Sequence, residues 1–226
     1  INGSFVGKII STNLLLTGNG NFNLDSTTNN VSIISAGSNA SRLGSLNFTN
    51  SNALVVGSVG SNSGIYTIGT IAISTLTGDL SVSQNINTQN TSTTALILNA
   101  SQSTAVGVSS GGDLKFSGGA SITIGANARA KLYSGSISGS TGLTTITGSG
   151  SNRFRYNSDE SNSNYSLSLG TGIHAIYRER PSLTIVADDK TVTYGTAPTL
   201  TTTVNGLQNG DTAAQTLSTV ASVAVG

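Results

Sequence analysis

Short apolar runs separated by serine, threonine, asparagine and glycine recur along most of this chain. Between residues 65 and 116 they lie at 71–73, 80–82, 95–98, 106–108 and 114–116. Each run is too short for a helix, and several alternate with period two, which places the apolar side chains on one face of a strand. One run cannot bury such a face alone, but stacked coils of such runs can, so the pattern predicts a β-solenoid.

Turn signals divide the chain at short intervals. The pair Gly78-Asp79 before Leu80 returns as Gly112-Asp113 before Leu114. Further strands are predicted in the first third of the chain, at residues 6–10, 13–16, 22–24, 31–34, 46–48, 54–56 and 65–73. Breaks every 6 to 12 residues or so are typical of many short strands.

The fold class that this spacing predicts is all-β. We expect a right-handed parallel β-helix with coils of about 20 residues, a capping region and a partial C-terminal β-sandwich-like module. A sandwich or an antiparallel meander is the alternative, although such folds usually show more paired hairpin signals of the Asn-Gly kind.

Asparagine is frequent in the predicted turns. Asparagine tolerates left-handed backbone geometry, and stacked asparagine side chains can form hydrogen-bonded ladders. The candidates for such a ladder are Asn29, Asn30, Asn39, Asn50, Asn52, Asn85, Asn87 and Asn90. The same residues are equally explained as ordinary solvated turn residues.

Composition narrows the classes of protein. Charged residues make up 8% of the chain and the formal net charge is +1, which argues against a nucleic-acid partner because such a partner needs a concentrated basic surface. No apolar run is long enough to span a bilayer as a helix. The chain has no cysteine, so disulfides and thiolate metal sites are impossible. The pattern starts and stops abruptly, which favours a segment of a longer protein.

The character of the chain changes after Arg129. Tyrosines and charged residues concentrate between residues 131 and 180, and larger side chains of this kind are suited to covering the open end of a solenoid. We therefore predict a β-helix shaft at 1–131 and final coils with a cap at 132–180. After Pro181 we predict a partial β module at 181–226, which opens with a hairpin of strands 183–186 and 191–194.

Two stretches resemble known families. The segments SLNFTNSNALVVGSV, GIYTIGTIAISTLTGDLSVSQ and GGDLKFSGGASITIGANA resemble the β-helical shafts of filamentous-haemagglutinin-like exoproteins, which are bacterial adhesins exported by two-partner secretion or autotransport. This resemblance covers residues 1–131. It implies a secreted or cell-surface protein with an extended shaft.

The C-terminal segment LTIVADDKTVTYGTAPTLTTTVNGLQNGDT is similar to the opening of an MBG-type module, a repeated β domain of bacterial surface proteins. The matching features are Tyr194-Gly195, Pro198, Gly206-Leu207 and Gly210-Asp211. The resemblance implies that further copies follow. It transfers no catalytic residue.

Groups suited to catalysis are sparse. The chain has nine acidic residues and one histidine, whereas carbohydrate-active β-helices need clustered carboxylates for acid–base work or calcium. Asp25, Asp79 and Asp113 are isolated and are interpreted as structural residues, and a lone His174 makes neither a metal site nor a catalytic triad. We expect no enzyme activity, no metal and no cofactor.

The arginines are the candidate ligand or interface residues. Arg153 and Arg155 form one Arg-x-Arg pair, and Arg178 and Arg180 form another. In a strand, residues i and i+2 share a face, so each pair could present two guanidinium groups to a carboxylate or a sulfated sugar. Internal pairing with Asp159, Glu160 and Glu179 is the alternative.

These features favour a non-enzymatic bacterial protein, secreted or on the cell surface. It would be an adhesin stalk or a subunit of an extracellular matrix fibre, as in a biofilm. The expected partners are copies of the chain stacked end to end, or host and cell-surface glycans. A carbohydrate-active enzyme, a carbohydrate-binding solenoid and an ice-binding solenoid are the other functions that the sequence leaves open.

Overall fold

The computed structural model describes residues 3–4 and 7–217, and the chain divides into two compact units. The first unit comprises residues 1–148 and 153–180, and the second comprises 149–152 and 181–226. Within the described residues, helix is confined to α1 (Leu143–Thr147) and α2 (Ala213–Thr216). The prediction of an all-β fold is confirmed.

The strands are short, as the sequence predicts. In chain order they are β1 Gly3–Ser4, β2 Ile10–Leu16, β3 Asn21–Leu24, β4 Asn30–Ala36, β5 Ser45–Asn50, β6 Leu54–Val56, β7 Ser58–Val59, β8 Asn62–Ser63, β9 Ile65–Thr67, β10 Ile71–Thr75, β11 Leu80–Val82, β12 Ile86–Thr88, β13 Leu96–Asn99, β14 Leu114–Phe116, β15 Ile122–Thr123, β16 Arg129–Ser134, β17 Phe154–Arg155, β18 Gly172–Tyr177, β19 Thr184–Ala187 and β20 Thr202–Asn205. Most of them belong to two eight-stranded sheets.

The first sheet has the order β1-β3-β5-β10-β13-β16-β18-β17, and every neighbouring pair in it is parallel. Phe48 of β5 aligns with Ile73 of β10, which aligns with Leu98 of β13. All three side chains are fully buried. Apolar residues of equivalent strands therefore lie on top of one another in a continuous column.

The second sheet has the order β14-β11-β6-β4-β9-β12-β15, with β2 also paired to β4. Its strands are parallel too, and Leu54, Leu80 and Leu114 align across β6, β11 and β14. Between β5 and β16, each circuit of the chain contributes one strand to the first sheet and then two strands to the second sheet before the next circuit begins. The inward faces of both sheets thus share one apolar core. These parallel ladders exclude the antiparallel meander for this unit.

One predicted strand is in fact two. Residues 65–73 were expected to form a single strand, but β9 belongs to the second sheet and β10 to the first. The chain turns between them at Ile68 and Gly69. A Cβ atom at Gly69 would lie 2.6 Å from the carbonyl oxygen of Gly44 in the preceding circuit, so the bend needs a glycine. The apolar Ile68 is 56% exposed, which explains why it misled the pattern.

The run at 106–108 is also not a strand. It lies in a loop between β13 and β14, where Gly107 has a positive φ of 84°. Val108 is 40% exposed. An apolar pattern of three residues could not distinguish this turn from a buried strand.

Two of the candidate asparagines are buried where circuits stack. The Asn50 amide donates to the carbonyl oxygens of Val31 and Asn52 at 3.0 and 2.9 Å, and its Oδ1 accepts from the Val31 amide at 2.8 Å. Asn29 donates to the carbonyl oxygen of Leu24 at 2.9 Å. Both side chains therefore satisfy backbone groups that would otherwise be buried without partners.

A ladder step between asparagine side chains does occur on the outer face, where Asn47 donates to Oδ1 of Asn23 at 2.7 Å. Neither residue was among the ladder candidates, because both lie inside strands rather than in turns. The prediction selected the right residue type but the wrong positions.

The first sheet ends in an order that departs from the chain order. β18 lies between β16 and β17, so the two-residue β17 forms the edge. The ring of Tyr177 stacks on Phe154 and on Tyr156, with ring centroids 6.4 and 5.7 Å apart. Aromatic side chains therefore close the core at this edge.

The second unit contains one antiparallel pair, β19 with β20. The predicted hairpin of 183–186 with 191–194 is wrong, because the partner of β19 lies later in the chain and residues 191–194 form no strand. Within this unit, apolar side chains remain exposed, including Ile185 and Val186 at 47% each. The predicted subdivision of the first unit into shaft and cap stays a prediction.

Candidate functional site

A groove of about 540 Å³ runs across the outer face of the first sheet. We call it the sheet-face groove. Its lining residues are Asp25, Thr27, Asn47, Thr49, Ala72, Ser74, Leu76, Ile97, Asn99, Gln102, Ser103, Lys131, Tyr133 and Glu160. Its floor is built from the outward positions of β5, β10, β13 and β16.

The register explains how these residues meet. Thr49 aligns with Ser74, Ser74 with Asn99, and Asn99 with Tyr133. Because alternate residues of a strand face opposite sides, these positions point away from the core while their neighbours fill it. The result is a row of hydroxyl and amide groups that crosses four adjacent strands.

Tyr133 lies in the floor of the groove, and only 5% of its surface is accessible. Its ring packs against Leu169, Ile176 and Tyr165, which fixes its orientation. Among the described residues, its hydroxyl forms no hydrogen bond. Burial raises the pKa of Tyr133 to about 12, so the hydroxyl keeps its proton at physiological pH and remains a donor.

Asn99 is held in place by a buried cation. Its Oδ1 accepts from Nη2 of Arg178 at 2.6 Å, and Nη1 of the same guanidinium donates to the carbonyl oxygen of Ala100 at 2.8 Å. Since the amide oxygen is used, the amide nitrogen of Asn99 is left as a donor with no acceptor among the described residues. Arg178 thereby orients one polar group of the groove floor.

The loop that follows β17 forms the wall of the groove at Glu160. Two carboxylates of this loop accept hydrogen bonds from backbone amides of the loop between β13 and β14. Oε1 of Glu160 accepts from the Ser103 amide at 2.9 Å, and Oδ2 of Asp159 accepts from the Val106 amide at 3.0 Å. Burial alone would raise the pKa of Asp159, but the amides of Asn162 and Ser161 hold it below its usual value. These carboxylates therefore fix two loops to each other.

The structure separates the four candidate arginines. Arg178 is fully buried and lies 3.9 Å from Glu160, and Arg155 is buried with its guanidinium over the ring of Tyr165. Arg153 donates to the carbonyl oxygen of Thr171 at 2.7 Å, and Arg180 is exposed. A role of these arginines in ligand binding or in an interface stays a prediction.

His174 lies beside the groove floor, aligned with Lys131 across the sheet. Its Nε2 is 3.2 Å from the carbonyl oxygen of Gly170, and its buried Nδ1 has no partner among the described residues. Burial, together with the nearby positive charge of Arg153, lowers the pKa of His174 to about 4 against the opposing effect of the Gly170 carbonyl. The imidazole is therefore neutral in the folded chain at pH 7.

This pKa makes stability depend on pH. As the pH falls through 6.5, the unfolded chain takes up a proton on His174, whereas the folded chain does not until about pH 4. We therefore expect the free energy of unfolding to fall by about 2 kcal/mol between pH 7.5 and pH 5. Urea denaturation across this range measures the slope. The variant His174→Gln should remove most of it, and an unchanged slope in that variant would contradict the assignment.

The isolated aspartates act within the scaffold. Oδ1 of Asp79 accepts from the Asp113 amide at 2.9 Å, and its Oδ2 pairs with Lys115 in the next circuit. Oδ1 of Asp113 accepts from the Ser136 amide at 2.6 Å. In the part of the chain that the structure describes, no group of three metal-ligating side chains is suited to hold a metal ion.

The local sequence pattern does not reveal the sheet-face groove. Its residues are single polar positions in four strands that are far apart in the chain, and none of them stands out locally. The sequence does show which residues of each strand face outward. Whether these outward residues lie next to one another can be known only from the register between strands.

Comparison with known proteins identifies one segment. Residues 183–226 match the MBG domain (YGX type) family, which confirms that part of the resemblance. No curated protein and no solved structure matches the chain, and the filamentous-haemagglutinin-like resemblance has no such support. The MBG match indicates a β protein of the extracellular surface type. No helix in the described residues is long and apolar enough to cross a membrane.

Proposed function

We propose that this chain is a non-enzymatic structural protein of the bacterial cell surface or extracellular space, in which the first unit is a right-handed β-helical shaft. It serves as an adhesin stalk or as a subunit of a matrix fibre. The C-terminal MBG segment links this shaft to further surface modules. The observation that carries the proposal is the continuous alignment of apolar side chains through successive parallel strands.

The energetics support a mechanical role. Each circuit adds several fully buried aliphatic side chains to the common core, such as Ile71, Ile73, Leu80, Val82 and Ile86 between two returns to the first sheet. Full burial of one such side chain stabilises the fold by roughly 1.5–3 kcal/mol. Because each circuit rests on its neighbours, the shaft can resist bending and pulling without any bound cofactor.

Assembly into a fibre follows from the open sheet edge. The two-residue strand β17 pairs with β18 and is the last strand at one edge of the first sheet. An edge of this kind can accept a strand from another chain. End-to-end stacking would extend the parallel sheets from one copy to the next.

Electron microscopy of the purified chain, combined with light scattering over a concentration series, tests this function. We expect rods whose length increases with concentration in discrete steps. A strict monomer at the highest concentration would contradict the fibre role, and round particles of the isolated first unit would contradict the shaft.

A further inference from the structure

The sheet-face groove contains a donor that the fold does not use. The hydroxyl of Tyr133 forms no hydrogen bond with the described residues, and it opens onto the groove although the residue as a whole is only 5% exposed. Its ring is fixed by its neighbours, so the hydroxyl cannot turn elsewhere without repacking them. A ligand oxygen in the groove can accept a hydrogen bond from this hydroxyl in place of water.

The chemistry of the groove floor indicates the class of this ligand. Hydroxyl groups of Thr49 and Ser74 and amides of Asn47 and Asn99 alternate with the small apolar surfaces of Ala72 and Ile97. Hydroxyls and amides both donate and accept. They suit a ligand that itself carries many hydroxyl groups and short apolar C–H faces.

Charge excludes two other classes. Asp25, Glu160 and Lys131 are the charged residues of the groove, so it carries no basic surface for a nucleic acid or a sulfated polymer. The continuous polar row also disfavours a purely apolar ligand, because its groups would lose water without gaining partners.

The spacing of the row agrees with a chain of sugars. Adjacent strands of a sheet lie about 4.8 Å apart. The aligned polar side chains of β5, β10, β13 and β16 therefore follow one another at this distance along the groove. This repeat is close to the length of one hexose unit in an extended glycan. Successive sugars can therefore meet equivalent groups on successive strands.

We infer that the sheet-face groove binds a neutral oligosaccharide laid across the strands, with the Tyr133 hydroxyl donating a hydrogen bond to a sugar oxygen. This inference deepens the proposed surface role by naming the partner class. Oligosaccharide binding does not require fibre assembly, and it can be measured whether the chain is monomeric or assembled. Failure of the binding inference and failure of the proposed fibre function are therefore distinguishable.

Calorimetric titration of the full chain tests whether the groove binds a neutral oligosaccharide. The probes are cellohexaose and maltohexaose, with hexagalacturonate as the anionic comparison. We expect at least one neutral hexasaccharide to bind more tightly than the anionic one. Tyr133→Phe removes only the hydroxyl, and should weaken that binding about fivefold, as expected for one neutral hydrogen bond. Tyr66→Phe, on the second sheet, is the matched control and should leave binding unchanged.

A second variant keeps the test decisive if the tyrosine change disturbs packing. Ser74→Arg fills the groove from β10 and should abolish binding, whereas Ser81→Arg introduces the same side chain on β11 of the other sheet and should not. Unfolding midpoints establish that each variant is folded. Absence of binding at millimolar sugar, preference for the anionic probe, or binding that survives Ser74→Arg would each overturn the inference.

Discussion

Replacing Arg178 with methionine is expected to lower the free energy of unfolding by about 3 kcal/mol. The guanidinium is fully buried and donates to the carbonyl oxygen of Ala100 and to Oδ1 of Asn99. Methionine keeps much of the aliphatic volume but leaves both acceptors without a donor. Buried acceptors that lose a charged partner cost more than the bond itself contributes. Chemical denaturation in urea measures the change.

The ion pair with Glu160 contributes little to this effect. Its shortest N–O distance is 3.9 Å and the glutamate is partly exposed, so screening by water limits the pair to below about 1 kcal/mol. Glu160→Gln should therefore have a much smaller effect than Arg178→Met. Burial lowers the pKa of Arg178, and the charge of Glu160 opposes this shift. The guanidinium is charged because arginine is not deprotonated in proteins.

Two arginine variants separate charge from geometry. Arg178→Lys retains the positive charge but lacks the planar fork that reaches both acceptors, so we expect an intermediate loss. Arg180→Met changes an exposed residue two positions away and should alter stability by less than about 0.5 kcal/mol. Equal effects of Arg178→Met and Arg180→Met would refute the role of the buried guanidinium.

Replacing Phe48 with alanine is expected to lower the free energy of unfolding by about 3–5 kcal/mol. The side chain is fully buried between Leu24 and Ile73, with which it aligns in the first sheet. Removal of the ring leaves a cavity in the column, and strands hydrogen-bonded on both sides cannot close over it. Denaturant titration gives both the free energy and the slope of the transition.

The slope of the denaturant transition, the m value, reports how much surface unfolds in one step. In the β-helical shaft that we propose, each circuit contacts only its neighbours, so a local cavity can uncouple the circuits on either side of it. We therefore expect a lower m value in Phe48→Ala, because less surface unfolds in one step. Ile68→Ala is the control, since Ile68 is an apolar side chain that is 56% exposed in the turn between β9 and β10. A loss in Phe48→Ala no larger than in Ile68→Ala would contradict the column.

The local pattern of the sequence determined much of the fold. Alternation with period two identified most strands and the face that each buries, because neighbouring side chains of a strand point to opposite sides. The spacing of short apolar runs and turn residues indicated an all-β chain, and the segment at residues 183–212 was enough to identify the MBG segment.

Only the tertiary structure decided which strands pair and in what register. The break at Gly69 depends on the approach of Gly44 from another circuit, and the burial of Asn50 depends on backbone groups of Val31. The groove arises in the same way, since Thr49, Ser74, Asn99 and Tyr133 become neighbours only across strands. Local propensity acts over a few residues, whereas these contacts join positions tens of residues apart, and their free energy exists only once the circuits are stacked.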